Sequence, residues 1–255
     1  MKNDIKARLK KGEHVLGTMI NQFENPEIAK ILKVCGFDYF IIDCEHGCFD
    51  YGSVAKILAM ARETGVCGMV RVPEAKREVI LKYMEMGAGG LMLPNAETAE
   101  HAEKLVEYSK YYPLGNRGVS LLRPATGFEK IDNVADYMKK VNEETVLIVQ
   151  VESPTAVRNI DKMLGVEGID AAFIGPNDLT QTMGIMGQYD HPDYIAAVEY
   201  VIKVAKEKKK FAGIQTMQPQ ALKPWVSKGM SLNLYANDVV LMMSAAREGI
   251  AAIKN

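Results

Sequence analysis

The sequence predicts an α/β fold, a (β/α)8 TIM barrel with an extra C-terminal helix, and three observations carry that prediction. Eight short apolar, β-rich runs recur along the chain, at residues 16–20, 39–43, 69–72, 90–93, 146–151, 171–175, 212–216 and 232–236. Segments of helical pattern separate them, at 26–35, 51–63, 77–86, 96–108, 155–164, 192–206 and 219–228, with a further helix in a longer insertion near 131–142. The chain is 255 residues long, close to the roughly 250 that such a barrel uses. Strands alternating with helices imply parallel pairing through right-handed crossovers, and eight such units in this length close into one domain spanning 1–255. An open doubly wound sheet is the other architecture that the same alternation allows.

The chain opens with a short cationic helix over residues 2–11 and enters the first strand at LGTMI. The second strand, YFIID, is apolar until Asp43, and Cys44-Glu45-His46-Gly47 follows it. The third run carries Arg71 before Val72-Pro73, and the fourth is the short GLML. After the fourth helix comes YYPLGNRGVSLLRPATGF, residues 111–128, whose Pro and Gly content reads as a long loop. Its expected place is the active-site rim, with Arg117, Ser120 and Arg123 as candidate substrate contacts; a solvated or subunit-contact loop is the alternative. The fifth strand, VLIVQV, is β-branched and uncharged, as a strand buried on both faces requires, and Glu152 follows where it ends.

Ser153-Pro154 then starts a helix, since Pro is tolerated in a first turn, and Ala156, Ile160, Met163 and Leu164 form its apolar stripe. The sixth strand ends at Gly175, before Pro176-Asn177-Asp178. After the eighth strand, residues 239–253 (VVLMMSAAREGIAAI) are too apolar to lie free on a surface, and are expected against the barrel or a neighbouring subunit.

Composition narrows the function classes. A hydrophobic content of 48% and a charged content of 25% are ordinary for a globular chain with a sizeable core. A formal net charge of −1 speaks against nucleic acid or an anionic membrane as partner. No apolar run reaches the roughly 18 residues of a membrane span, and the amino end, MKNDIKARLKKGE, has no signal-peptide core, so a cytoplasmic protein is expected. The four cysteines, Cys35, Cys44, Cys48 and Cys67, form neither a CxxC pair nor a zinc pattern around the lone His46. They read as reduced thiols filling space, with a reactive Cys44 beside Glu45 and His46 as the lesser reading.

The chemistry gathers where strands end. Glu152 and Asp178 leave successive parallel strands at the same rim, and strand alternation turns Gln150 and Glu152 to one face. Uncompensated charge facing a barrel interior is costly, so a hard divalent cation taking oxygen ligands is the expected occupant: magnesium, manganese or cobalt. His46, between acidic residues and a glycine on that rim, suits a general base. Arg71, at the end of the third strand, suits bidentate capture of a carboxylate, against the alternative of an internal salt bridge to Asp43 or Glu45.

Five segments, FDYFIIDCEHG (37–47), VRVPE (70–74), EMGAGGLMLP (85–94), VQVES (149–153) and FIGPNDL (173–179), resemble in order and spacing those of the HpcH/HpaI aldolase family. The resemblance implies metal-dependent, class II aldol cleavage of a 2-oxo-4-hydroxy acid to pyruvate and an aldehyde, in a homohexamer built from dimers that exchange a C-terminal helix. It implies that Glu152 and Asp178 hold the metal, and that Gln150 and the Asn177-Asp178 segment contact the pyruvate portion. Arg71 would stabilise the enolate and His46 act as base. The family's acid partner to that histidine is an aspartate; this chain has Glu85 there. Cys44 and Cys48 also depart from the familiar family versions. No lysine stands among the motif residues at the rim, which opposes a Schiff-base mechanism. The rival readings are a malyl- or citramalyl-thioester lyase on the same barrel and a catalytically silent barrel serving as a binding module.

Overall fold

The computed structural model describes residues 4–254. Its strands are β1 (Val15–Ile20), β2 (Tyr39–Asp43), β3 (Cys67–Arg71), β4 (Gly90–Leu93), β5 (Val146–Val151), β6 (Ala171–Ile174), β7 (Phe211–Thr216) and β8 (Leu232–Asn237). Its helices are α1 (Ile5–Lys10), α2 (Ile28–Val34), α3 (Tyr51–Thr64), α4 (Arg77–Glu85), α5 (Ala99–Ser109), α6 (Val134–Glu144), α7 (Pro154–Gly165), α8 (Pro176–Thr182), α9 (Pro192–Glu207), α10 (Pro219–Ser227) and α11 (Asp238–Lys254). All eight strands pair in parallel, each with its sequence neighbour, and β1 pairs with β8 to close the barrel. This is the expected (β/α)8 architecture, and the open sheet is set aside. Three strands, β2, β4 and β5, keep their expected bounds, and the other five move by one or two residues at one end or both.

Strand parity divides the core into two apolar layers. Tyr39, Ile41, Met69, Met92, Val146, Ile148 and Phe173 fill the barrel interior. Phe40, Ile42, Val70, Leu147, Val149 and Ile174 pack outward against the helices. Large interior rings need space from their neighbours. A Cβ on Gly17 would lie 2.7 Å from the Tyr39 ring, so glycine there lets the tyrosine cross the interior to donate to the Asn233 carbonyl at 2.8 Å. The interior set continues to the C-terminal ends of the strands, where Asp43, Arg71 and Gln150 have the same inward parity. Helix starts follow local chemistry: Ser153 caps α7 by accepting from the Ala156 amide at 3.1 Å, worth about 1 kcal/mol.

Four findings correct or narrow the expectations. Residues 111–128 follow a helix and precede β5, so the loop lies at the N-terminal rim of the barrel, opposite the strand ends that carry Asp43, Arg71 and Glu152. Pro and Gly content marks a loop without saying which rim holds it. Second, of the two places expected for α11, the barrel wall is set aside. Its first residue, Asp238, is buried and accepts from the amides of Asn21, Gln22 and Phe23, but Met242, Ile250 and Ile253 farther along are exposed. Third, α8 is not among the expected helices, because its single core apolar residue, Leu179, gives no helical period. Fourth, Cys35 and Cys48 are exposed and fill no space, whereas Cys67 is buried. Among the described residues no helix is long and apolar enough to cross a membrane.

Candidate active site

A cavity of about 650 Å³ opens at the C-terminal ends of the strands. Asp43, His46, Arg71, Gln150, Gly175, Asn177 and Asp178 all stand on its wall, so the expected residues from β2, β3, β5 and β6 converge. Glu152 is not on the wall itself. It is 4% exposed, and its carboxylate lies against Gly175, which is.

Asp43 organises one side. Fully buried at the end of β2, it accepts from Arg71 Nε at 2.9 Å and Nη2 at 2.7 Å, from Asn21 Nδ2 at 2.7 Å, and from the backbone amides of Glu45 and His46. Arg71 Nη1 lies 3.1 Å from Glu45 Oε2 and 3.5 Å from Gln150 Oε1. The contact to Glu45 is an ion pair without hydrogen-bond alignment, which leaves Glu45 Oε2 buried and unbonded. The internal salt bridge weighed for Arg71 therefore exists, and the same guanidinium also faces the cavity. His46 stands at the mouth, its side chain 66% exposed, with Nε2 3.9 Å from Glu45 Oε2.

The other side is built on Glu152 and α8. Glu152 Oε2 accepts from the Asn95 amide at 2.8 Å, and Oε1 takes no hydrogen bond among the described residues. Burial, with Glu45 and Asp178 adding like charge, pushes the Glu152 carboxyl up to about 7, against the pull of the Asn95 amide and Arg71. Burial also raises Glu45, where Arg71 and His46 oppose the shift and Asp43 and Asp178 add to it. Asp178 occupies the first turn of α8, which suits an anion. The Thr182 hydroxyl, 2.8 Å from the carbonyls of Glu152 and Asp178, fastens α8 to the end of β5. Gly175 is the joint: a Cβ there would lie 2.5 Å from Glu152 Oε1 and 3.0 Å from Gln150 Nε2. Its φ of −95° is open to any residue, so proximity to Glu152 alone demands glycine.

Among the described residues no group of three or more His, Cys, Asp or Glu side chains is arranged to hold a metal ion. Glu152 and Asp178 are two carboxylates, the first buried against like charges with one oxygen free of hydrogen bonds. A hard cation held by one or two carboxylates, with water and substrate oxygens completing its shell, fits that donor set.

Four expected residues are elsewhere. Glu85 ends α4 at the N-terminal rim, where its carboxylate is 3.9 Å from Arg123 Nε, so the chain does not bring it to His46. Its place at the close of a helix, before β4, puts the barrel's length between the two. Arg117 is buried, donating to the Met84 carbonyl at 3.1 Å and standing over the Tyr111 ring, and Ser120 accepts from Arg123 at 2.9 Å. Ser120, Arg117 and Arg123 are thus remote from the cavity within this chain. Cys44 has its thiol pushed up to about 11 by burial, which opposes the reactive reading.

Other contributors went unread in the sequence. Asn95 bridges the two sides: at φ 50°, a conformation Asn tolerates, its amide reaches Glu152 while its side chain donates to Glu45 Oε1 at 3.2 Å. The Pro94-Asn95 turn directly after a strand was the available signal. Tyr189, twelve residues beyond Asn177, donates to Asn177 Oδ1 at 2.5 Å, and no local pattern announces it.

Comparison with known proteins points the same way. Residues 19–241 match the family model described as HpcH/HpaI aldolase/citrate lyase. The hydroxypyruvate/pyruvate aldolase of Roseobacter denitrificans is 33% identical over 246 residues, 96% of this chain and 94% of that protein. The 2-keto-3-deoxy-L-rhamnonate aldolase of Escherichia coli K12 is 31% identical over 256 residues, 100% of this chain and 94% of that one. A crystal structure of an HpcH/HpaI aldolase from Desulfitobacterium hafniense superposes with a TM-score of 0.94 at 33% identity, covering 98% of this chain and 96% of that chain.

Proposed function

This chain belongs to the HpcH/HpaI aldolase/citrate lyase family, and from that premise we propose that it is a metal-dependent class II aldolase that cleaves a 2-oxo-4-hydroxy acid to pyruvate and an aldehyde, and runs the reverse addition. The observation that carries the reading is the pairing of Glu152 and Asp178 beside a cavity whose wall also presents Arg71. The relatives named above as aldolases, one of them for pyruvate, support it.

Glu152 and Asp178 would hold the divalent cation, magnesium, manganese or cobalt, which when bound supplies Lewis acidity at the 2-oxo oxygen. The chain's own residues do the rest. Arg71, fixed in orientation by Asp43, donates to the carboxylate and to the oxygen that gains charge as the enolate develops. Gln150 and Asn177 position the pyruvate portion. His46, at the mouth, takes the proton of the 4-hydroxyl as the C3–C4 bond breaks, and the aldehyde leaves toward solvent. The enolate is then protonated at C3 to give pyruvate.

Pyruvate release from a panel of 2-oxo-4-hydroxy acids, coupled to lactate dehydrogenase, tests the proposal. Release should require added divalent metal and stop with chelator. Release unchanged by chelation, or none from any member of the panel, would overturn it. The same reading takes the chain as one domain and its assembly as a homohexamer, a trimer of dimers; the uncovered apolar side of α11 supports association, and sedimentation would measure it.

A further inference from the structure

The cavity has two flanks of different chemistry. At the ends of β2, β3, β5 and β6 stand the ionisable groups: Asp43, His46, Arg71 and Asp178 on the wall, with Glu152 beside them. Across from these at the ends of β7 and β8, and beside Asp43 at the end of β1, the wall presents Gln215, Thr216, Gln218, Asn237 and Asn21, four amides and a hydroxyl with no titratable group among them. A substrate whose 2-oxo acid portion occupies the first flank extends its remaining carbons along the second.

Three of the four amide orientations on that flank are fixed by partners of unambiguous polarity. Gln215 Nε2 donates to the Ala236 carbonyl at 2.9 Å, which leaves Oε1 as an acceptor. Asn237 Oδ1 accepts from the Val240 amide at 2.8 Å, which leaves Nδ2 as a donor. Neither remaining group has a hydrogen bond among the described residues. Asn21 Nδ2 is committed to Asp43 Oδ2 at 2.7 Å. A hydroxyl both donates and accepts, so it can satisfy Gln215 Oε1 and Asn237 Nδ2 together; a carboxylate only accepts, and would set its charge against Gln215 Oε1. The guanidinium of Arg71 is already shared between Asp43 and Glu45 on the opposite flank. A second substrate carboxylate would therefore lose water without gaining a counter-ion, facing a cavity that already holds several acids.

We infer that the aldehyde half of the substrate is a short, uncharged hydroxyaldehyde and not an aldehyde bearing its own carboxylate. The inference rests on the pyruvate aldolase reading and narrows it. The test is the metal-loaded enzyme adding pyruvate to three aldehydes: glyceraldehyde, propionaldehyde and succinic semialdehyde, with oxaloacetate decarboxylation run alongside.

The expected order in kcat/KM is glyceraldehyde first, propionaldehyde lower by about tenfold or more for its missing hydroxyls, and succinic semialdehyde also at least about tenfold below glyceraldehyde. Succinic semialdehyde used as well as glyceraldehyde, or better, would overturn the inference while leaving the aldolase reading intact. No addition to any aldehyde together with no decarboxylation would instead sink the aldolase reading. Gln218→Arg, which places a cation on the neutral flank, should raise succinic semialdehyde relative to glyceraldehyde by about tenfold; a ratio that does not move counts against the substrate tail lying on that flank.

Discussion

Asp43 and Arg71 are partners in the β2–β3 ladder, and the Asp43 carboxylate takes two hydrogen bonds from the Arg71 guanidinium, from Nε at 2.9 Å and from Nη2 at 2.7 Å. Both side chains are buried, so the pair fixes which guanidinium edge remains for the cavity. An ammonium on a flexible stem reproduces neither the fork nor the remaining edge. Arg71→Lys should lower kcat/KM for pyruvate release by about 10² or more, in the range for losing an oxyanion donor. Near-normal steady-state turnover in this variant would mean that the arginine serves only the salt bridge.

Glu152→Ala and Asp178→Ala each remove an anionic donor from a two-carboxylate site. Each variant should lose metal-dependent activity while keeping its far-UV circular dichroism, because neither side chain belongs to the two apolar layers. Full activity with metal retained in either variant would exclude this pair as the metal site.

Gly175→Ala is a sharper probe, since it removes no charged group. The added Cβ would stand 2.5 Å from Glu152 Oε1 and 2.6 Å from Glu152 Cγ, so the carboxylate must swing away. Manganese affinity measured by calorimetry should fall about 10- to 100-fold, as for groups that orient metal ligands. An unchanged affinity would show that Glu152 Oε1 does not face the ion.

Glu152 also predicts a pH dependence. Its folded carboxyl is pushed up to about 7 from an ordinary 4.5, chiefly by burial, so the folded state binds this proton more tightly than the unfolded one. Between those values the group's contribution to stability declines as pH rises, and above about 7 the cost of holding the bare carboxylate is felt in full. A bound cation offsets that cost. Metal affinity should thus climb with pH to about 7 and then level, and metal should raise the melting temperature more at pH 8 than at pH 5.5. Equal metal-induced shifts at the two pH values would contradict the raised carboxyl.

His46→Ala should cost about 10² to 10⁴ in aldol cleavage, the usual range for a general base. Oxaloacetate decarboxylation should survive better, because it needs the enolate held but no base at a 4-hydroxyl. Comparing the two rates in one variant preparation decides the matter: equal losses would assign His46 a positioning role.

The sequence by itself determined the eight strands, their parallel pairing, and that Gln150 and Glu152 share one face, because successive side chains of a strand alternate; closure of the barrel, and which parity faces inward on strands buried on both faces, came from the tertiary structure. It also placed Glu152 and Asp178 at one rim, since parallel strands end on the same side. The rim of each loop was equally implicit, as connections after helices lie opposite those after strands, yet Pro and Gly content drew residues 111–128 to the wrong end. Glu85 failed for the same reason: alignment of a motif does not carry distance, and α4 ends where β4 has not begun. Only the tertiary structure decided the rest. That Asn95 would serve Glu152 and Glu45 at once, that Gly175 would lie against the Glu152 carboxylate, and that Tyr189 would meet Asn177 depend on backbone turns closed by contacts from other strands. The neutral wall of Gln215, Gln218 and Asn237 depends on barrel closure, which sets strands distant in sequence across one cavity from Arg71.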